Sequence, residues 1–293
     1  MAAKVVRFAE AGQVNLRPGL LIGNTVADIS GRHPTIASFL GNCPDGWDPE
    51  LSLPNGAPTF DSAAVRFGPP MDPGNLVYAV GANYRKHAEE AGLSVPKTPV
   101  IFFKPYTSLV GPNEAICIPP VSTKLDYEGE MAVMIGKEAT GISRAQARAH
   151  VAAITILNDT TARDLQWVEL GSNRIVDWFT SKALDKSSPL GPHLTSAKEI
   201  ADVHNIRIKT SLNGQTMQDA NTSMMVYDTW ALIEFITRHA TLRPGDIIAT
   251  GTPFGVGGFR EIFLNHGDTV RIELEGIGVL ENPVTRSAGT RST

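Results

Sequence analysis

The sequence predicts a strand-rich α+β fold in which a mixed β-sheet curls, roll- or barrel-like, around a central pocket. Three observations lead there. Short apolar runs recur between turns rich in Gly and Pro. The run Ile206–Leu212 ends in Asn213-Gly214, a hairpin signal. Helical patterns lie between the strands rather than in a block of their own.

Residues 1 to about 70 read as short strands, Val5–Arg7, Pro18–Ile22 and Thr25–Asp28, with a short helix near Thr35–Leu40. From Cys43 to Pro70 the chain is rich in Pro, Gly and Asp, and Pro69-Pro70 and Asp72-Pro73-Gly74 close the stretch. That punctuation divides a small N-terminal α/β domain, 1–72, from a larger one, 73–293. In the second part Leu76–Val80 is a strand and Arg85–Ala91 a short helix. Lys124–Ile135 reads as one long strand. Ser143, with Gln146 three residues on, starts a helix by a capping-box pattern. Val151–Leu157 is an apolar strand ending in Asn158-Asp159. Tyr227–His239 is a helix with Trp230, Leu232, Ile233 and Ile236 on its apolar side. Asp246–Ala249 and Thr269–Leu274 are strands flanking a Gly-rich loop that begins at Thr250.

Composition bounds the function. With 293 residues, 42% of them hydrophobic, the chain can bury a sizeable core. A net charge of -4 gives no reason to expect nucleic acid or an anionic membrane as partner. No segment approaches the roughly 20 apolar residues of a membrane span. The two cysteines, Cys43 and Cys117, have no metal-type spacing and form no disulfide framework. A cytoplasmic setting is the expectation.

Side chains alternate faces along a strand, so Glu128 and Glu130 point the same way, roughly 7 Å apart. Two carboxylates on one face repel unless a cation lies between them. Asp159 adds a third at the end of an apolar strand. Three carboxylates without paired His or Cys suit a hard ion, Mg²⁺ or Mn²⁺. Spacing alone leaves open that Glu128 and Glu130 face solvent and that Asp159 begins a turn. His87 and Glu90 stand i, i+3 on one helix face, a device for activating water, or an ordinary surface pair. Arg163, Gln166 and Lys182 follow Asp159 closely enough to line the same pocket. Arg and Lys there suit an anion, though isolated basic residues are surface residues by default. The loop Thr250-Gly251-Thr252-Pro253 offers N–H groups and hydroxyls to an anion, without the P-loop or dinucleotide pattern.

Taken in order, six segments resemble the fumarylacetoacetate hydrolase superfamily, in its acylpyruvate hydrolase and oxaloacetate decarboxylase branch. They are Gly81 to Glu90, Phe102 to Pro105, Asp126-Tyr-Glu128-Gly-Glu130, Asn158 to Gln166, Ser181-Lys182 to Pro192, and Gly245-Asp246 to Pro253. The resemblance covers about residues 76 to 285. It implies a curled mixed-sheet domain, homodimeric, behind a smaller N-terminal domain. It assigns the metal ligands to Glu128, Glu130 and Asp159, and water activation to His87 and Glu90. Substrate binding falls to Arg163, Gln166, Lys182 and Thr252. The sequence departs from the pattern at Leu184 and Ser187, where relatives have aromatic residues, and over Trp167 to Phe179. Both departures bear on the substrate's side chain.

The reaction so implied is hydrolysis of a C–C bond in an acylpyruvate, a 2,4-dioxo acid. The metal is the electron sink for the pyruvate enolate, Lys182 and Arg163 add positive charge, and His87 activates water on a helix able to act as a lid. The same site would serve oxaloacetate decarboxylation or isomerisation and hydration of a 2-oxo acid. A non-catalytic protein that binds metal and a 2-oxo acid is the alternative of another class.

Overall fold

The apolar runs assemble into two large sheets. In the computed structural model, which describes residues 2–92 and 94–286, the main sheet has a path of ten strands. In spatial order these are Thr59–Asp61, Thr25–Asp28, Arg17–Ile22, Lys4–Glu10, Ser188–Ser196, Val151–Asn158, Gly129–Ile135, Ile247–Ala249, Val77–Gly81 and Val100–Lys104. Neighbours are antiparallel except Ile247–Ala249 and Val77–Gly81, so the sheet is mixed, and it ends on two edge strands instead of closing as a barrel. The second sheet orders Gln215–Asn221, Arg207–Leu212, Thr269–Leu274, Gly278–Arg286 and Ile116–Ile118.

The middle of the main sheet is covered on both faces, which is why Gly129–Ile135 and Val151–Asn158 are buried throughout. Met131, Val133 and Ile135 share one core with Ile208, Ile272 and Leu280 of the second sheet. Ala132 and Met134, on the opposite face, pack with Trp47, Met71 and the buried side of the helix Ile36–Leu40 (α1). The N-terminal strands extend this same sheet, through Val5 opposite Leu194. Burial of aliphatic side chains on this scale, about 1.5–3 kcal/mol each, is the main force holding the layers.

Four further helices matter to the site or its frame: α2 (Arg85–Glu90), α3 (Arg144–Ala147), α4 (Trp178–Lys182) and α5 (Thr229–Thr237). The Gln146 side chain accepts the Ser143 N–H, as its spacing predicts. Leu232, Ile233 and Ile236 of α5 are buried, while Trp230 is partly buried against the core. No helix among the described residues is long and apolar enough to cross a membrane.

One expectation needs correction. The single strand expected over Lys124–Ile135 is broken into Leu125–Asp126 and Gly129–Ile135. The N–H groups between them go to side chains: Tyr127 to Asp126 Oδ1, Glu128 to Asn158 Oδ1 and Gly129 to Gln218 Oε1. Gly129 also lies so close to Thr210 that a Cβ would sit 2.2 Å from its hydroxyl oxygen.

Candidate active site

Those side-chain bonds fix the backbone on which the three acids stand. Asp159 N–H donates to Glu128 O at 2.8 Å, tying the end of one central strand to the break before its neighbour. Thr252 Oγ1 donates to Gly129 O and accepts from Gln218 Nε2. Gly251 has φ +96, a conformation that strains any residue with a Cβ, and its N–H donates to Glu130 Oε2 at 2.8 Å. As a result Glu128, Glu130 and Asp159, all buried, each offer an oxygen within 4.8 Å of the other two.

Three cations surround them. Lys182 Nζ donates to Glu128 Oε2 at 2.7 Å and to Asp159 Oδ2 at 2.6 Å. Lys104 Nζ lies 2.7 Å from Asp159 Oδ1, poorly aligned for a hydrogen bond, and donates to Lys182 O. Arg163 donates to Glu128 Oε1 and, at 2.8 Å, to Asp126 Oδ2. Burial disfavours every one of these charges, and neighbours decide the outcome. Glu128 is held low because Lys182 and Arg163 outweigh its burial. Lys182, facing two carboxylates, is raised despite burial; Lys104, facing one, is lowered by it. Glu130 has no basic partner among the described residues, and burial together with Asp159 pushes its carboxyl well above the usual range.

A buried carboxylate without a counter-ion, beside two others, is the arrangement a cation relieves. The donor set is all oxygen, which suits a hard divalent ion. The site therefore fits the metal that the acidic triad implies.

The acids open into a cavity of about 520 Å³. Arg163, Gln166, Lys182 and Thr252 line it, and so does His87. His87 is carried by α2, whose start is pinned by Asn83: its amide donates to Tyr227 O and Thr250 O. Burial pushes the His87 imidazole down to about 4, so the ring is neutral at physiological pH. Its Nδ1 is buried without a hydrogen bond, 4.0 Å from Glu90 Oε2. Glu90 instead accepts the Gly255 N–H at 2.9 Å and does not line the cavity. The structure thus brings together eight of the nine residues singled out from sequence and leaves Glu90 one step outside. Val80, Val100, Phe102, Trp178 and Phe259 also line the cavity, as do Trp167, Arg174 and Val176, whose largely exposed strands mark the mouth. Leu184 and Ser187, where aromatic residues were the family pattern, are buried and do not reach the cavity.

Sequence reasoning passed over three site residues. Lys104 ends an apolar strand, Val-Ile-Phe-Phe-Lys, in register with buried Phe102; a lysine at such a position signals a buried partner. Asp126 accepts from Arg163 and from the N–H groups of Gly257 and Gly258, so it orients the arginine and the Gly-rich loop together. Asn158 holds Glu128 by its backbone. These last two stand inside matched segments, but nothing local marks them for these roles.

Residues 76–285 match the family model described as fumarylacetoacetate (FAA) hydrolase, C-terminal. The mitochondrial oxaloacetate tautomerase FAHD2A of Bos taurus is 39% identical over 96% of this chain and 91% of its own length; the Homo sapiens protein of that name is 37% identical over the same shares. Among solved structures, 2-hydroxyhepta-2,4-diene-1,7-dioate isomerase from Mycobacterium marinum superposes with a TM-score of 0.75 at 32% identity, covering 98% of this chain and 100% of that one. Maleylpyruvate hydrolase from Sphingobium sp. SYK-6 gives 0.76 at 28% identity, covering 97% and 100%. The acids, the lysine and the histidine described above all fall within the matched segment, and the chain belongs to the fumarylacetoacetate hydrolase family of enzymes.

Proposed function

We propose that this enzyme catalyses divalent-metal-dependent enol–keto interconversion of a 2-oxo acid, with oxaloacetate the first substrate to test. The observation that carries the reading is the triad Glu128, Glu130 and Asp159 opening into the same cavity as a neutral His87 whose Nδ1 has no partner. Tautomerisation moves one proton between C3 and the 2-oxygen, so it needs one base that is free at neutral pH and a means to hold negative charge on oxygen. Mg²⁺ or Mn²⁺ at the triad would supply Lewis-acid pull on the 2-oxo group. His87 would take the C3 proton of the keto form and deliver it to the 2-oxygen, and in the other direction take the enol proton and deliver it to C3. Lys182 and Arg163 hold the field positive where the substrate carboxylate sits, and the Phe102 and Trp178 walls exclude water. The relatives named oxaloacetate tautomerases, matched over nearly the whole chain, support this choice.

Acylpyruvate hydrolysis is the second reading, favoured by His87 and Glu90 standing one turn apart on α2. It requires Glu90 to leave Gly255 and close the 4.0 Å gap to His87. A role in binding alone leaves the buried, unpartnered His87 without a use.

The test follows the enol absorbance of oxaloacetate with and without Mg²⁺, against Mg²⁺ alone, while mass spectrometry tracks the products. The expected result is enol loss that needs protein and is abolished by chelator, with oxaloacetate conserved. Protein-dependent conversion unchanged in excess chelator, or yielding only pyruvate and CO₂, would overturn the proposal.

A further inference from the structure

The mouth of the cavity is made by a hairpin, Trp167–Leu170 paired with Asn173–Val176, which forms a two-stranded sheet of its own. Its pairs are Trp167 with Val176, Val168 with Ile175, Glu169 with Arg174, and Leu170 with Asn173. Alternation therefore sorts Trp167, Glu169, Arg174 and Val176 onto one face, and three of these four line the cavity. Although Arg174 stands opposite Glu169, no salt bridge joins their side chains. Its guanidinium lies over the Trp167 ring, 4.0 Å from the centroid, and no hydrogen bond or ion pair engages it among the described residues. A guanidinium held over a ring in this way keeps its N–H groups available to a carboxylate.

The charges at the other end make such a fork necessary. Four carboxylates, Asp126, Glu128, Glu130 and Asp159, stand there against three cations, Lys104, Lys182 and Arg163. With a divalent ion in place and all four acids ionised, the sum is a single positive charge, which one substrate carboxylate neutralises. A second carboxylate has no cation left at that end. The cavity is of a size that encloses drug-sized ligands and exceeds what a four-carbon diacid fills.

We propose that Arg174, stacked on Trp167, is the specificity-determining residue for a distal carboxylate, and that the preferred substrates are 2-oxo dicarboxylic acids longer than oxaloacetate. The inference rests on the proposed function, in that the triad end must hold the 2-oxo acid head. Phe102, Trp178 and Val176 then flank the carbon chain between the two ends.

The experiment titrates the Mg²⁺-loaded protein calorimetrically with 2-oxoadipate and 2-oxohexanoate, six-carbon acids that differ only in a terminal carboxylate against a methyl. The wild type should bind 2-oxoadipate roughly tenfold more tightly, the scale of one solvent-accessible charge-assisted pair. In Arg174→Met that ratio should collapse towards one, and Arg174→Lys should retain part of it, with melting temperatures unchanged. A wild-type ratio near one overturns the proposal, because the mouth then reads an apolar tail. A ratio that survives in Arg174→Met overturns it too, because another group reads the carboxylate. If neither acid binds, the 2-oxo acid reading of the triad end falls, and this inference with it.

Discussion

The two ends of the cavity are built by opposite means. At the closed end Glu128, Glu130 and Asp159 are at most 4% exposed, and side chains from distant parts of the chain, Asn158, Gln218 and Thr252 among them, fix their backbone. At the mouth, the hairpin leaves Trp167 37% and Leu170 54% exposed, and its cation is held by a ring rather than a counter-ion. The first end is over-determined, so a reacting group placed there has one position. The second contributes little to the core and can change length or charge without disturbing it. A fold that hosts isomerases and hydrolases on one scaffold needs that division: chemistry on packed strands, selectivity on a loop.

The largest effects lie at the closed end, where two substitutions should part company. Lys182→Met leaves Glu128 and Asp159 without their shared ammonium and should destabilise the metal-free protein by about 3–5 kcal/mol, the cost of breaking a buried pair from one side. Glu130→Gln removes the one carboxylate without a cation, so the metal-free melting temperature should hold or rise. The further rise that Mg²⁺ should give in the wild type should vanish. Calorimetric melting with and without Mg²⁺ reads both. Equal destabilisation by the two variants would show a structural charge cluster instead of a cation site.

How much of this was legible in sequence follows the same division. The acids, Arg163, Lys182 and Thr252 could be found because they occupy short motifs on or beside strong apolar strands. Register then placed Glu128 and Glu130 on one side even though the strand breaks between them. The break itself was not readable, since it depends on Asn158 and Gln218 arriving from 30 and 89 residues away. Glu90 shared the right helix face with His87, but the tertiary bond from Gly255 took its carboxylate. Edge strands such as Thr59–Asp61 and Leu109–Val110 are too short for periodicity to register. The hairpin was visible only as a departure from the family pattern, because its strands bury nothing that would mark an apolar face.

Intermediate in size is a test of how firmly α2 stays closed. His87 at the cavity and His193 beneath the second sheet are both pushed down to about 4, in each case first by burial. The unfolded chain binds protons on these rings near the ordinary value of 6.5, so it holds more protons than the folded one between pH 6.5 and 4. Each group's contribution is therefore complete above 6.5 and is lost as pH falls to about 4, roughly 3 kcal/mol apiece. NMR titration of the seven histidines should find both well below 6.5. His193 titrating near 4 while His87 titrates near 6.5 would mean that α2 opens in solution and that the proposed base belongs with the mouth.

The smallest effect is the sharpest on the comparison. Trp167 and Val176 face each other across the hairpin, so deleting Val168–Ile175 and joining them through Gly-Gly restores a two-residue turn at the spacing such turns require. An isolated two-stranded hairpin is marginal in water, and this one adds few buried side chains. The deletion should therefore change stability by no more than about 0.5 kcal/mol, the usual range for surface changes, and leave the Mg²⁺-induced rise in melting temperature intact. Only the preference between 2-oxoadipate and 2-oxohexanoate should go. A loss of more than about 2 kcal/mol would say that the hairpin supports the fold and that the two ends do not differ as argued. Val168, Leu170 and Ile175 form the outer face of the hairpin and are 37%, 54% and 50% exposed. If the loss appears only at high protein concentration, that face lies against a second copy of the chain, and melting the wild type across a hundredfold concentration range will show the same dependence.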